Sequence, residues 1–117
     1  MKKSVALISC SNGLGHIRRL LTIAKEFSLF GYYCDLYAPI LQYKKILQNF
    51  KINNLNIKDF DTNTRVSNWQ NEYNFNWLKK IKNLDKYDFV VSDNLIEILK
   101  LRPDSWITGS FFWHHAI

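Results

Sequence analysis

Two short segments carry the residue types that could do chemistry. The first, Ser11-Asn12-Gly13-Leu14-Gly15-His16-Ile17-Arg18-Arg19, sets two glycines and a histidine where an apolar run gives way to helical spacing. Glycines let backbone N–H groups approach a ligand closely, and a helix N-terminus favours a negative charge or an electron-rich oxygen. The same helix end disfavours an imidazolium, so His16 would stay neutral and able to accept a proton. A nearby carboxylate would then orient the ring and stabilise its charge once formed. The second segment, Ser92-Asp93-Asn94, ends another apolar run and supplies that carboxylate as Asp93. Asn12, Gly13, Gly15 and Asn94 read as substrate-binding positions around the pair. Arg19 lies three residues after His16, on the same side of the first helical turn, where it would meet a phosphate or brace Asp93. A plainer alternative stands beside this reading: His16 merely occupies a tight turn, and Asp93 merely caps the helix after it.

Two familiar phosphate loops do not fit the first segment. No Lys-Ser/Thr follows the glycines, and Arg18 stands where the dinucleotide fingerprint needs its third glycine. His114-His115 does not read as a metal site, because adjacent side chains diverge and no Cys, His or acid stands at ligand spacing. No metal and no cofactor is expected.

Elements must bring the two segments together. Val5-Ala6-Leu7-Ile8-Ser9 predicts a buried first strand. Ile17, Leu20, Leu21, Ala24 and Phe27 recur at helical spacing as far as Gly31, which predicts an amphipathic helix with a glycine stop. A β-prone run over 32–38 follows, then a helix opened by Pro39 with Ile40, Tyr43, Ile46, Leu47 and Phe50 on one face. Residues 55–60 alternate as a third strand. Val66, Trp69, Tyr73, Trp77, Ile81 and Leu84 step by three or four, predicting one or two helices between Asp61 and Lys86. Tyr87–Ser92 reads as a fourth strand, Asn94–Leu101 as a short helix stopped before Pro103, and Ser105–Ser110 as a fifth strand.

Strands alternating with helices, two of those strands continuously apolar, predict an α/β fold: a Rossmann-like doubly wound parallel sheet of about five strands, order 3-2-1-4-5. Ligands bind such sheets beyond the carboxyl ends of the strands, where the order reverses. That point lies between strands 1 and 4, where both segments arrive.

The chain of 117 residues reads as one domain, 1–117, with no linker or internal repeat. No apolar run is long enough for a bilayer span or a signal peptide, so the expected location is the cytoplasm. Cys10 and Cys34, without a CxxC or framework spacing, are expected as reduced, buried thiols. The net charge of +6 is uneven: residues 1–58 carry nine Lys/Arg against two acids (+7), residues 59–117 seven against eight (−1). Such a basic half suits phosphates on a small molecule, an anionic lipid surface or nucleic acid. Eighteen aromatics (Trp 4, Tyr 6, Phe 8) come with no RNP, KH or helix-turn-helix signature. Nucleic acid is therefore the weaker expectation, and a non-catalytic phospholigand-binding or nucleic-acid-binding module stays as the rival reading.

Gly13-Leu14-Gly15-His16-Ile17-Arg18-Arg19, between an apolar strand and an amphipathic helix, resembles the Gly-x-Gly-His-x-x-Arg opening of GT-B glycosyltransferases. The nearest in pattern are the MurG-like N-acetylglucosamine transferases and the nucleotide-sugar hydrolase of pseudaminic acid synthesis. Tyr87–Asp93 resembles the family's hydrophobic strand ending in Asp. The resemblance implies a two-domain enzyme that acts on a nucleotide sugar and an acceptor. This chain would be its N-terminal, acceptor-side half, inactive alone and completed by a C-terminal donor-binding domain or a partner chain. It implies His16 as general base, paired with Asp93, acting on an acceptor hydroxyl or, in the hydrolase branch, on water. It would place His114 in the cleft beyond strand 5, helping to hold an acceptor. Lys44-Lys45 and the lysines at 79, 80 and 82 would, in a MurG-like enzyme, add peripheral contact with the inner face of an anionic membrane.

Overall fold

The computed structural model describes residues 3–10, 14–62 and 77–108. Five strands, β1 (Ser4–Ile8), β2 (Tyr33–Ala38), β3 (Leu55–Asp59), β4 (Phe89–Asp93) and β5 (Trp106–Thr108), form one sheet in the order β3-β2-β1-β4-β5. Every neighbouring pair is parallel, which is the expected doubly wound arrangement.

The pleat sorts the side chains into two cores. Val5 and Leu7 of β1, Cys34, Leu36 and Ala38 of β2 and Val91 of β4 face one side. There they meet Ile17, Leu20, Leu21 and Ala24 of helix α1 (Leu14–Leu29) and Ile46 of helix α2 (Lys44–Asn49). Ala6, Ile8, Tyr37 and Val90 face the other side, against Trp77, Ile81, Leu84, Tyr87, Leu95 and Ile98. The period of two explains why β1 has to be apolar throughout: it is central, and both of its faces are covered. The first two crossovers thus cover one face and the described parts of the last two cover the other.

α1 ends as its glycine predicts. Gly31 takes φ +84, Tyr32 N–H donates to Phe27 C=O at 3.1 Å and Gly31 N–H to Ser28 C=O at 3.0 Å. This is a Schellman stop, with the Phe27 and Tyr32 rings 5.2 Å apart supplying its apolar contact.

Three expected helices come out differently. The helix opened by Pro39 begins only at Lys44: residues 40–43 form turns, and Ile40 N–H donates to Asp59 Oδ1 at 3.0 Å. Of the expected helix between Asp61 and Lys86, residues 63–76 lie outside the described residues. Its later part is two short 3-10 turns, 77–79 and Leu84–Lys86, separated by Asn83 in the left-handed region at φ 62. Trp77, Ile81 and Leu84 are all buried, so their spacing marks a buried face without a continuous helix behind it. Asn94–Leu101 is a 3-10 helix over Ile96–Lys100, because Asn94 at φ 61 turns the chain away from helical geometry as it leaves β4. Among the described residues no helix is long and apolar enough to cross a membrane. Cys10 and Cys34 are free and buried.

Candidate active site

The carboxyl ends of β1 and β4 converge where the strand order reverses. Beyond β1 the backbone is pinned before it reaches the glycines. Ser9 N–H donates to Tyr37 C=O at 2.9 Å, and the Cys10 carbonyl accepts from both Ser9 Oγ at 2.9 Å and the buried Tyr43 hydroxyl at 3.0 Å. Asn12 and Gly13 follow and lie outside the described residues. Gly15 and His16 have backbones in the first turn of α1, the His16 side chain lying outside those described.

β4 ends on Asp93, fully buried, and alternation puts its side chain on the α1 face with Val91. Arg19 reaches it from α1: Nε donates to Asp93 Oδ1 at 2.8 Å, with the arginine side chain one-third exposed (33%) and the carboxylate not at all. Thr108, the last residue of β5 and the register partner of Asp93, donates its hydroxyl to the same oxygen at 3.0 Å. The next residue is tied too, since Asn94 N–H donates to Thr108 C=O at 2.6 Å. Behind it, Ser92 Oγ donates to Leu95 C=O at 2.9 Å on the far face. The 3-10 helix after β4 has Leu95 at its N-cap with no side-chain cap bond, so Asp93 does not cap it and instead accepts from a guanidinium and a hydroxyl on neighbouring elements.

The arrangement collects three elements on one buried oxygen. Two charge-assisted or polar donors on Oδ1 hold the carboxylate's plane, at the point where a Rossmann-like sheet binds its ligands. Of the sequence-predicted residues, the structure brings Arg19 and Asp93 into contact and Asn94 beside them. His114 lies outside the described residues. Thr108 was not foreseen; its signal is its place as the last residue of a strand parallel to β4, which needs the register to be seen. Among the described residues no group of three or more His, Cys, Asp or Glu could hold a metal ion.

A second polar cluster sits on the opposite face. Tyr87 donates to Asp35 at 2.6 Å, the Tyr37 and Tyr87 hydroxyls lie 2.7 Å apart, and Lys58 Nζ is 3.7 Å from Asp35. Burial, and then the bond to Asp35, push the Tyr87 hydroxyl far above the ordinary tyrosine range, so it stays protonated. Tyr87 is a donor that ties β2 to the approach of β4, not a base or nucleophile.

No family model matches the chain, and no curated protein matches it. Among solved structures it is similar to LpCGTa in complex with UDP, with a TM-score of 0.59 and 13% sequence identity over 93% of this chain. The chain spans 30% of the length of that protein. At this identity the likeness shows the fold.

Proposed function

We propose that the chain is the acceptor-side half of a glycosyltransferase that moves a sugar from a nucleotide-sugar donor to an acceptor hydroxyl. The observation that carries this reading is Asp93: a fully buried carboxylate held by Arg19 and Thr108 at the β1–β4 reversal, on the strand beside the one that leads into the Gly15-His16 start of α1. The likeness in fold to a protein solved with UDP, of which this chain spans 30%, supports a nucleotide-linked substrate and a further donor-binding half.

In this mechanism His16 removes the proton from the acceptor hydroxyl as that oxygen attacks the anomeric carbon, and the nucleotide diphosphate leaves with the electrons of the bond it gives up. Asp93 orients the imidazole and stabilises the imidazolium formed. The N-terminus of α1 and backbone N–H groups of the glycine segment favour the electron-rich oxygens of the substrate. With water in place of the acceptor the same groups would hydrolyse the donor, so the two outcomes differ in what occupies the acceptor position.

The test is turnover of UDP-N-acetylglucosamine and UDP-glucose by the enzyme assembled with its donor-binding half, read as transfer to added acceptors and as release of free sugar. His16→Ala is expected to lower turnover by about 10²–10⁴-fold, the usual contribution of a general base, while the 117-residue chain alone stays inactive. Unchanged turnover in His16→Ala would remove it as the base. Salt-sensitive binding of RNA at physiological ionic strength, with no turnover of either nucleotide sugar, would overturn the enzymatic reading in favour of a binding module.

A further inference from the structure

We infer that the apolar groove between the C-terminal half of α1 and Trp106 of β5 is a contact between two copies of this chain, related by a two-fold axis, with Phe30 of each copy seated in the groove of the other.

α1 carries more apolar surface than the sheet can take. Ile17, Leu20, Leu21 and Ala24 are fully buried against the strands. Ile23 and Phe27, with Phe30 just past the helix end, follow the spacing i, i+4, i+7 and form a second stripe about 100° further round. This stripe lies toward β4 and β5. The Phe27 ring is 6.0 Å from Phe89 and 6.4 Å from Trp106, and the Phe89 and Trp106 rings are 5.2 Å apart. Trp106 stands in register with Val91 and so projects to the α1 face. The helices on this face join β1 to β2 and β2 to β3, while the residues joining β4 to β5 pack on the other face. No described element therefore covers the groove, and Phe30 is left 80% exposed and Trp106 54% exposed.

A second copy fits this surface better than other occupants. Beside Phe27 lies a cavity of about 250 Å³ lined by Thr22, Ile23, Glu26, Phe27 and Phe30. That is below the roughly 300–1,000 Å³ of a small-molecule site, and the Glu26 carboxylate on its wall opposes an anionic lipid surface. An aromatic side chain suits it, and Phe30 offers one at the cavity's own wall. Knob and hole thus adjoin on a single surface, the self-complementarity that a two-fold contact requires. Phe30 and Trp106, with the uncovered parts of Ile23 and Phe27, leave about 400 Å² of apolar side chain open per copy. Interfaces are about 60% apolar, so the full footprint is about 600–700 Å² per copy, at the lower end of what specific dimers bury. The dimer is accordingly weak, with a Kd of about 10–100 µM. Phe89 and Trp106 begin their strands, so the contact leaves the carboxyl-end cleft at Asp93 open.

Sedimentation velocity of the 117-residue chain between about 5 and about 500 µM should pass from monomer to dimer. Phe30→Glu places a charge in the seam at a position open to water. It should weaken the dimer by about tenfold or more and leave the urea midpoint of the monomer unchanged. A two-fold axis also brings the two Glu26 carboxylates to the same side of the seam, so Glu26→Gln should tighten the dimer, as should added salt. With 5-fluorotryptophan incorporated, the ¹⁹F resonance of Trp106, assigned through Trp106→Phe, should shift with concentration in wild type and not in Phe30→Glu. That of the buried Trp77 should stay in place. A chain that is monomeric at every concentration would overturn the inference. So would a dimer that Phe30→Glu leaves intact, since the copies would then meet elsewhere. Shielding of Trp106 only on addition of the donor-binding half, with the chain alone monomeric, would also overturn it and give the groove to that half.

Discussion

Arg19 Nε lies 2.8 Å from Oδ1 of Asp93, tying the first helix to the end of the fourth strand through a carboxylate with no solvent exposure. The two partners are unequal: one is sealed and the other is a third open to water. Their removal should therefore cost different amounts.

Arg19→Met takes the guanidinium from a buried carboxylate and should destabilise the chain by about 2–4 kcal/mol, somewhat under the cost for a fully buried pair. Asp93→Asn leaves a neutral amide that can still accept from Thr108 and frees a guanidinium that reaches water, for about 1–2 kcal/mol. Urea midpoints at constant m-value measure both, and the double variant should cost less than the sum. Equal costs for the two single variants would mean that the asymmetry in burial does not govern this pair.

Glu97, in the 3-10 helix after β4, is pushed above the ordinary carboxylate range by burial, with its own backbone N–H and Lys100 pulling partly the other way. A folded carboxyl that holds its proton more tightly than the unfolded one adds stability that is complete below the unfolded pKa, near 4.5. That stability is lost as pH rises through the folded value. Glu97→Gln removes the charge that burial penalises. Its melting temperature should exceed that of wild type by more at pH 8 than at pH 4. A difference independent of pH would show that the gain came from something other than ionisation.

Much of this architecture is readable from pattern, and the parts that are not share a cause. Val5–Ile8 and Phe89–Val91 announce buried central strands because sheet pleating leaves both faces covered, and Ile17, Leu20, Leu21 and Ala24 announce a helix because one stripe must be apolar. Asp93 stands out as a charge ending such a strand. The spacing over Asn94–Leu101 predicts a short helix, and the structure has a 3-10 helix over Ile96–Lys100. What diverts it is Asn94's left-handed backbone and the Ser92 hydroxyl on the Leu95 carbonyl, both local geometry. Thr108 stays hidden because its contact with Asp93 depends on strand register with a residue fifteen positions away. Arg102 carries no sequence signal beyond standing before Pro103, since the carbonyls it binds lie 14 to 18 residues upstream.

That arginine should matter more than its surface neighbours. Its Nη1 donates to Leu84 C=O at 2.7 Å and Tyr87 C=O at 2.9 Å, and Nη2 to Asp88 C=O at 3.3 Å, gathering the turn that leads into β4. Only a planar fork with several donors can satisfy these acceptors together, so Arg102→Lys should cost about 1–3 kcal/mol. Asp104 also pairs with Arg102, and the arginine lowers its pKa, but Asp104 is open to solvent. Asp104→Asn should leave the urea midpoint unchanged within error. If Asp104→Asn matched Arg102→Lys in cost, the ion pair rather than the carbonyl bonds would be the stabilising contact.

Cys34 offers a check on the core itself. The thiol sits in β2 with no solvent exposure, and burial, then the neighbouring Asp35 charge, raise its pKa to about 11. At pH 8 roughly one thiol in a thousand would be thiolate even if reagent could reach it. Iodoacetamide should therefore modify Cys34 only when the packing between β2 and α1 opens, the Ala24 carbonyl of α1 lying 3.8 Å from the sulfur. Peptide mapping by mass spectrometry after timed alkylation should find the Cys34 rate rising with urea in step with the unfolded population. It should also fall when Arg102 or Arg19 is intact rather than substituted, because those residues set the same global stability. Rapid labelling of Cys34 in water, at a rate indifferent to those variants, would mean that this face opens locally and that the core around β2 is less closed than its packing implies.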